Sequence, residues 1–283
     1  MTDGVVSVHT TQLVDLAGAE TKDRVVSVTL NRPDTANAFN AQMIEGITEA
    51  LAKIKQDPSV RAVLIQGSGK HFSAGADLNW MKESARLTHD QNLREAERLI
   101  AMFETLATMP MPTVAVIRGA AYGGAVGIVA SCDVAVATET AKFCLSEVRV
   151  GILPAVILPY LARKISYGQL RRLALSGRVF TCKEAREFDL IQVSCTTDSV
   201  QAVLLDEVNQ LMAASPEAQA AFKSLHQQVE DNGRRQGRFT AQAIADVRAS
   251  TSGQAGLASF LEKVSPPWIR KIPADARLVR EAL

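Results

Sequence analysis

His71-Phe72-Ser73-Ala74-Gly75-Ala76-Asp77-Leu78, followed further on by Arg118-Gly119-Ala120-Ala121-Tyr122-Gly123-Gly124, decides how this chain is read. Each stretch ends an apolar strand pattern in a turn of small residues and then opens a helical pattern. The strands are Arg61-Ala62-Val63-Leu64-Ile65-Gln66-Gly67 and Thr113-Val114-Ala115-Val116-Ile117. The second is continuously apolar, as a strand buried on both faces is. Two such turns can bring bare backbone N–H groups to one point, and two N–H donors converging on one oxygen form an oxyanion hole. Downstream, Phe143-Cys144-Leu145-Ser146-Glu147-Val148-Arg149-Val150-Gly151 carries the carboxylate of Glu147 among apolar neighbours. Two donors and one carboxylate suit chemistry beside a thioester carbonyl.

Working outward, Val25 to Leu30 reads as a strand stopped by Asn31-Arg32-Pro33. A helix opens at Asn40, with Met43, Ile47, Leu51 and Ile54 on its apolar face, and stops at Asp57-Pro58. Leu93, Ala96, Ile100, Phe103 and Ala107 fall on one face of a later helix. Asp133 to Ala137 is another strand. Strand and helix alternating at this spacing predict an α/β fold with a parallel sheet. After about Thr197 strand-like runs vanish and helical patterns take over. The expected organisation is therefore an α/β catalytic core over residues 1–197 and a helical portion over 198–283. The stretch from Asp231 to Arg238, with Arg234 and Arg235, reads as a solvated turn.

Composition narrows the function classes. The 283 residues are 47% hydrophobic and 22% charged, enough for a full core. Lys+Arg number 31 against 30 Asp+Glu, so no broad field exists to hold a polyanion, and nucleic acid is not an expected partner. Cys132, Cys144, Cys182 and Cys195 have no CxxC spacing and read as reduced core thiols with no adjacent group to activate them. His9, His71, His89 and His226 are scattered, so no metal site is expected. There is no GxSxG elbow. Neither a leader segment at Met1-Thr2-Asp3-Gly4 nor a membrane-length apolar run is evident, and the expectation is a cytoplasmic protein without a membrane partner.

Taken in order, these stretches resemble the crotonase, or enoyl-CoA hydratase/isomerase, superfamily. The pieces are Leu30-Asn31-Arg32-Pro33 with Asn37-Ala38, Phe72 to Leu78, Gly119 to Gly124, Cys132-Asp133, Phe143 to Gly151, and Gly256 to Lys263. The resemblance implies a crotonase-type spiral of ββα turns with a helical C-terminal trimerisation region. It implies an acyl-CoA substrate, an enolate intermediate, a homotrimer or dimer of trimers, and no cofactor beyond the coenzyme A of the substrate. Carried over, the N–H groups of Ala76 and Gly124 would form the oxyanion hole. Arg32, Asn37, Ala38, Ala74, Gly75, Asp77 and Leu78 would line the coenzyme A site, with Phe260 and Lys263 contributing from the C-terminal region. Glu147 matches the second of two glutamates in the typical hydratase. Gly127 stands where the first would be, and Ile152 to Tyr160 replace the usual glycine-rich run. The pattern looks like a bacterial subgroup with methylglutaconyl-CoA and isohexenylglutaconyl-CoA hydratases. Hydration of such an α,β-unsaturated thioester is expected. A Δ3,Δ2-enoyl-CoA isomerase working with one glutamate is the alternative, and a non-catalytic RNA-binding or scaffold protein a remoter one.

Individual residues leave choices open. Gly123 and Gly124 serve a tight strand-to-helix turn, an anion at the new helix's N-terminus, or both. Asp77 reads first as the N-cap of the helix beginning at Leu78. Gly127 either permits close helix packing or leaves room for a branched acyl group. Arg149 either makes a structural contact or holds an acyl carboxylate through two N–H bonds. An apolar pocket would raise the pKa of Glu147 and a close Arg149 would lower it.

Overall fold

The computed structural model describes residues 4–232 and 237–279. Met1 to Asp3 lie outside the described residues, as do Arg234 and Arg235 of the stretch expected to turn; its ends, Asp231 and Arg238, belong to helices. The chain opens with a hairpin of β1 (Val6–Val14) and β2 (Glu20–Leu30), antiparallel to each other. α1 (Ala41–Lys55) follows, its first turn capped by Asn40, which accepts from the Met43 N–H at 2.9 Å. It buries Met43, Ile47, Leu51 and Ile54, as its periodicity requires. β3 (Val60–Gly67) is buried throughout and runs into the turn that opens α2 (Leu78–Ser84). α3 (His89–Ala107) begins with a reciprocal capping pair, Thr88 and Gln91.

β4 (Thr113–Ile117), β5 (Ala120–Tyr122), α4 (Gly124–Ser131), β6 (Val134–Thr138) and β7 (Lys142–Cys144) complete the middle of the chain. Then come α5 (Leu158–Lys164), α6 (Tyr167–Ser176), β8 (Val179–Thr181), α7 (Cys182–Glu187) and β9 (Val193–Cys195). Among the described residues, the elements that follow are helices: α8 (Val200–Met212), α9 (Pro216–Asn232), α10 (Gly237–Ala249) and α11 (Thr251–Glu262). The main sheet has the order β1-β2-β3-β4-β6-β9 and is parallel except at the β1 edge. A smaller sheet, β5-β7-β8, stands beside it, with β5 and β7 parallel and β7 and β8 antiparallel.

The larger core lies under α1, α3, α4 and α5, with Phe72, Phe103, Phe143 and Phe180 among its fully buried side chains. The other face of the main sheet packs Leu64, Val114 and Val116 against Leu204, Val208 and Met212 of α8. The final described segment doubles back on this face: Lys271 bridges to Val14, and Ile272 and Leu278 are buried there.

Two expectations need correction. The sheet is mixed, because β1 pairs antiparallel along one edge; its alternation of polar and branched residues gives a weak apolar signal. In α3 the buried residues are Met102, Phe103 and Leu106, whereas Leu93 and Ile100 are exposed. Among the residues of that face, Phe103 packs into the core, and the N-terminal turns project past it. No helix among the described residues is long and apolar enough to cross a membrane.

Candidate active site

The turn after β3 is held by Phe39. Its N–H donates to the Gly75 carbonyl at 2.7 Å, and its carbonyl accepts from the Asp77 N–H at 2.8 Å. In a parallel bridge of this kind the residue between the two bonds turns its own N–H away, so the Ala76 N–H faces out of the turn. Gly75 has φ +92°, and a Cβ on it would meet the Tyr122 carbonyl oxygen at 3.0 Å. Close approach of the two turns therefore demands glycine here.

The second turn is laced to the first. The Ser73 N–H donates to the Ala120 carbonyl at 2.9 Å, and the Tyr122 N–H to the Ser73 carbonyl at 3.1 Å. Gly123, at φ +54°, donates its N–H to the Cys144 carbonyl at 2.9 Å and passes the chain into α4. Gly124 is the first residue of that helix, where an N–H has no partner within the helix. Neither the Ala76 nor the Gly124 N–H has an acceptor among the described residues.

Glu147 opens a 3₁₀ turn, Glu147–Val150. A Cβ on Gly123 would stand 3.2 Å from Glu147 Oε1 and 4.0 Å from the Gly75 Cα. Both glycine turns and the carboxylate thus crowd around one point. Burial pushes the Glu147 carboxyl above the usual carboxylate range. Its Oε2 is buried and has no hydrogen-bond partner. A buried unpaired carboxylate oxygen is expensive, and such atoms concentrate where function needs them.

Arg149 is not what sets that shift. Its side chain is exposed and runs to the C-terminal end of α6, with Nε 3.4 Å from the Ser176 carbonyl oxygen. It lies across Gly177, where a Cβ would meet its Cγ at 2.9 Å. Of the two arrangements open to Arg149, this is the structural one.

Asp77 caps α2 by accepting from the Asn79 N–H at 2.8 Å and pairs with Arg32 at 2.9 Å. The Asn79 N–H and then Arg32 hold its carboxyl below the usual range. Arg32 also donates to the Ala38 carbonyl at 2.7 Å. Asn37 is fully buried, and its Nδ2 donates to the Ser68 and His71 carbonyls, each at 2.8 Å. These three polar side chains brace the turn from behind. Ala74, Ala76 and Leu78 are exposed while Gly75 and Asp77 are buried, so alternate residues line an open edge beside the glycine turns.

Gly127 faces filled space. A Cβ on it would meet Ile157 Cγ2 at 2.2 Å and Phe103 Cε1 at 2.9 Å. The position that the resemblance assigns to the other glutamate is thus walled by apolar side chains. Phe260 and Lys263 sit at the end of α11, which contacts α9 and α10; Phe260 is 81% exposed, and Lys263 closes the helix at φ +58°.

Several site neighbours escaped the sequence reading. Phe39 places its ring 3.1 Å from where a Gly124 Cβ would be, which explains the second glycine. His71 Nδ1 accepts the Ala120 N–H at 3.1 Å and so joins the two turns. Ile157 could have been noticed only as the bulky replacement in the run after Gly151. Burial drives the Cys132 thiol up to about 12 and raises Cys144, so neither is a ready nucleophile. Among the described residues no group of three or more His, Cys, Asp or Glu could hold a metal ion.

Comparison with known proteins bears on this geometry. The enoyl-CoA hydratase/isomerase family model matches residues 20–271. Enoyl-CoA hydratase ACTT6 of Alternaria alternata is 30% identical over 240 residues, 83% of this chain and 78% of its own. The crystal structure of an enoyl-CoA hydratase from Shewanella pealeana ATCC 700345 superimposes with a TM-score of 0.85 at 35% identity, covering 94% of this chain and 97% of that one. AtuE of Pseudomonas aeruginosa gives 0.83 at 30% identity, over 92% and 100% of the respective chains.

Proposed function

Because the chain belongs to the enoyl-CoA hydratase/isomerase family, we propose that it is a cytoplasmic hydro-lyase adding water across the C2=C3 bond of an α,β-unsaturated acyl-CoA. The observation that carries this reading is the Glu147 carboxylate, buried and unpaired at Oε2, beside the Gly75 and Gly123 turns. The Ala76 and Gly124 N–H groups polarise the thioester carbonyl. Glu147 takes a proton from water as the water oxygen bonds to C3. The π electrons move to the thioester oxygen, and the resulting enolate is held by the two donors. Glu147 then returns its proton to C2, so one carboxylate serves both transfers on one face. Loss of one donor raises the barrier by about 3 kcal/mol.

The substrate class belongs to the same proposal. The motif Gly123-Gly124-Ala125-Val126-Gly127 with Phe143 to Gly151 supports a branched glutaconyl thioester, of the methylglutaconyl-CoA or isohexenylglutaconyl-CoA type. The outward course of Arg149 gives it no part in binding the acyl carboxylate in this reading. A homotrimer or dimer of trimers, in which Phe260 and Lys263 complete a neighbour's coenzyme A site, is supported by the bareness of α11.

One observation favours a second reading. Ile157 and Phe103 occupy the place of a second carboxylate, so nothing there can pin water from the other side. A Δ3,Δ2-enoyl-CoA isomerase needs only one base, moving a proton between C2 and C4. Incubation with 2-enoyl-CoA, 3-enoyl-CoA and branched glutaconyl-CoA thioesters separates the two by which ester is consumed. Glu147→Gln is expected to lower turnover roughly 100-fold or more with acyl-CoA binding nearly intact. Near-normal turnover in that variant would remove Glu147 from the chemistry.

A further inference from the structure

A regular parallel ladder between the two glycine turns would pass the Ala120 N–H to the His71 carbonyl. The next rungs are of that kind: the Ser73 N–H donates to the Ala120 carbonyl at 2.9 Å and the Tyr122 N–H to the Ser73 carbonyl at 3.1 Å. At His71 the ladder changes. The Arg118 carbonyl accepts from the Phe72 N–H at 2.8 Å, one residue out of step. The His71 carbonyl is taken by Asn37 Nδ2 at 2.8 Å. The Ala120 N–H goes to the His71 ring instead, with Nδ1 at 3.1 Å. An imidazole thus replaces a backbone rung. Gly119 has φ +59°, and a Cβ on it would stand 2.5 Å from that Nδ1, so the opposite strand is shaped to receive the ring. Only one protonation form fits. Nδ1 accepts in the neutral ring that carries its proton on Nε2; an imidazolium would set N–H against N–H. Burial first, and then the charge of Lys70, hold His71 below its ordinary pKa. The other charged and titratable groups lining the hollow beside the ring are Arg118, Tyr122 and Lys142, and no carboxylate lines it among the described residues. An imidazolium there has no negative charge to favour it.

We propose that neutral His71 is a positioning residue for the oxyanion hole, its ring holding the Ala76 and Gly124 turns at the separation that one oxygen requires. This rests on the reading of those two N–H groups as the hole. His71 leaves β3 on the way to Ala76, and Ala120 begins β5 on the way to Gly124. Their bond therefore sits at the common root of both turns. Hole donors are effective only about 2.7–3.1 Å from the oxygen that gains charge. Loosening the root spreads the donors and weakens their hold on the enolate more than on the ground-state ester. The ring acts through the backbone and takes no proton from the substrate.

The test compares His71→Phe, which keeps a ring and deletes the acceptor, with His71→Asn, whose Oδ1 can stand in for Nδ1 and does not titrate. Turnover is measured with whichever of the 2-enoyl-, 3-enoyl- and branched glutaconyl-CoA thioesters the wild type consumes. His71→Phe is expected to lower kcat about tenfold with KM little changed, and His71→Asn to recover most of that loss. As pH falls, the wild type should lose activity with two protons, one on Glu147 and one on His71, and His71→Asn with one. Nitrogen-15 NMR of the labelled imidazole reads the same proton without turnover, and the tautomer protonated at Nε2 is expected at neutral pH. Should His71→Phe fail to fold, the Asn profile and the tautomer decide. Unchanged kcat in His71→Phe, equal loss in both variants, one proton in both profiles, or a proton on Nδ1 would each overturn the role of His71 while leaving the hydratase reading intact. A wild type that consumes none of the thioesters would overturn both.

Discussion

Glu147 is held in a place that disfavours its charged form, and the cost has a definite pH dependence. Burial raises its folded pKa above the ordinary 4.5, so the folded protein binds more protons than the unfolded chain between those two values. The penalty is absent below the ordinary value and fully present above the raised one. Glu147→Gln is therefore expected to melt higher than the wild type at pH 7 to 8, with the difference shrinking towards pH 4. The same shift places the acidic limb of the kcat/KM profile above the ordinary carboxylate range, since activity falls as the base is protonated. A limb at or below 4.5 would contradict that burial. At Gly127, even one methyl group collides with Ile157 Cγ2 at 2.2 Å. Gly127→Ala should destabilise the fold by about 1–3 kcal/mol in urea titrations despite its better helix propensity. The turn glycines and Glu147 could be picked out of the sequence because small-residue turns and a carboxylate among apolar neighbours are local signals. The filled space at Gly127 could not, because Ile157 reaches it from another element.

At the scale of elements, α4 depends on a cation. The helix is short and almost wholly buried, and its C-terminal carbonyls need partners. Lys164, at the end of α5, donates to the Val129 and Cys132 carbonyls at 3.2 and 2.6 Å. Positive charge there also suits the negative end of the helix dipole. Lys164→Met keeps most of the stem and strands both carbonyls; a loss of roughly 2 kcal/mol or more in urea unfolding is expected. Activity should fall with it, because Gly124 is the other end of the same helix. α1, β3 and β4 were legible because periodicity, caps and unbroken apolar runs agreed there. β1 was not, because its pattern is partly polar, and the α3 face was misjudged because a helical stripe does not reveal where its support ends. β5, β7, β8 and β9 have three residues each, too few to establish a period.

At the scale of the molecule, α11 exposes Leu257, Phe260, Leu261 and Val264, with Phe260 and Leu261 at 81% and 78%. A cluster of large apolar side chains on one short helix and its exit is the surface that the proposed assembly would cover. Phe260→Asp combined with Leu261→Asp should give a smaller species than the wild type by light scattering while leaving thermal unfolding of the core nearly unchanged. A wild-type monomer with full activity would refute the assembly. The α/β alternation in the sequence indicated the fold class, and the helices after β9 were visible as a change of pattern. How the last segment returns to the first sheet was not visible, because that contact is made by single residues far apart in sequence.

That return has a consequence for how the chain is made. Arg61, in β3 and 3% exposed, pairs with Asp23 at 3.3 Å and donates to the Trp268 carbonyl, 207 residues away. Gln66, on the same strand, donates to the Leu278 carbonyl, 212 residues away. During vectorial synthesis the early strands therefore leave the ribosome before two carbonyls that their buried donors use, those of Trp268 and Leu278, have been translated. Their final desolvation must wait for residues 268–278, so the nascent intermediate keeps one sheet face wet and open to chaperones until that segment has been made.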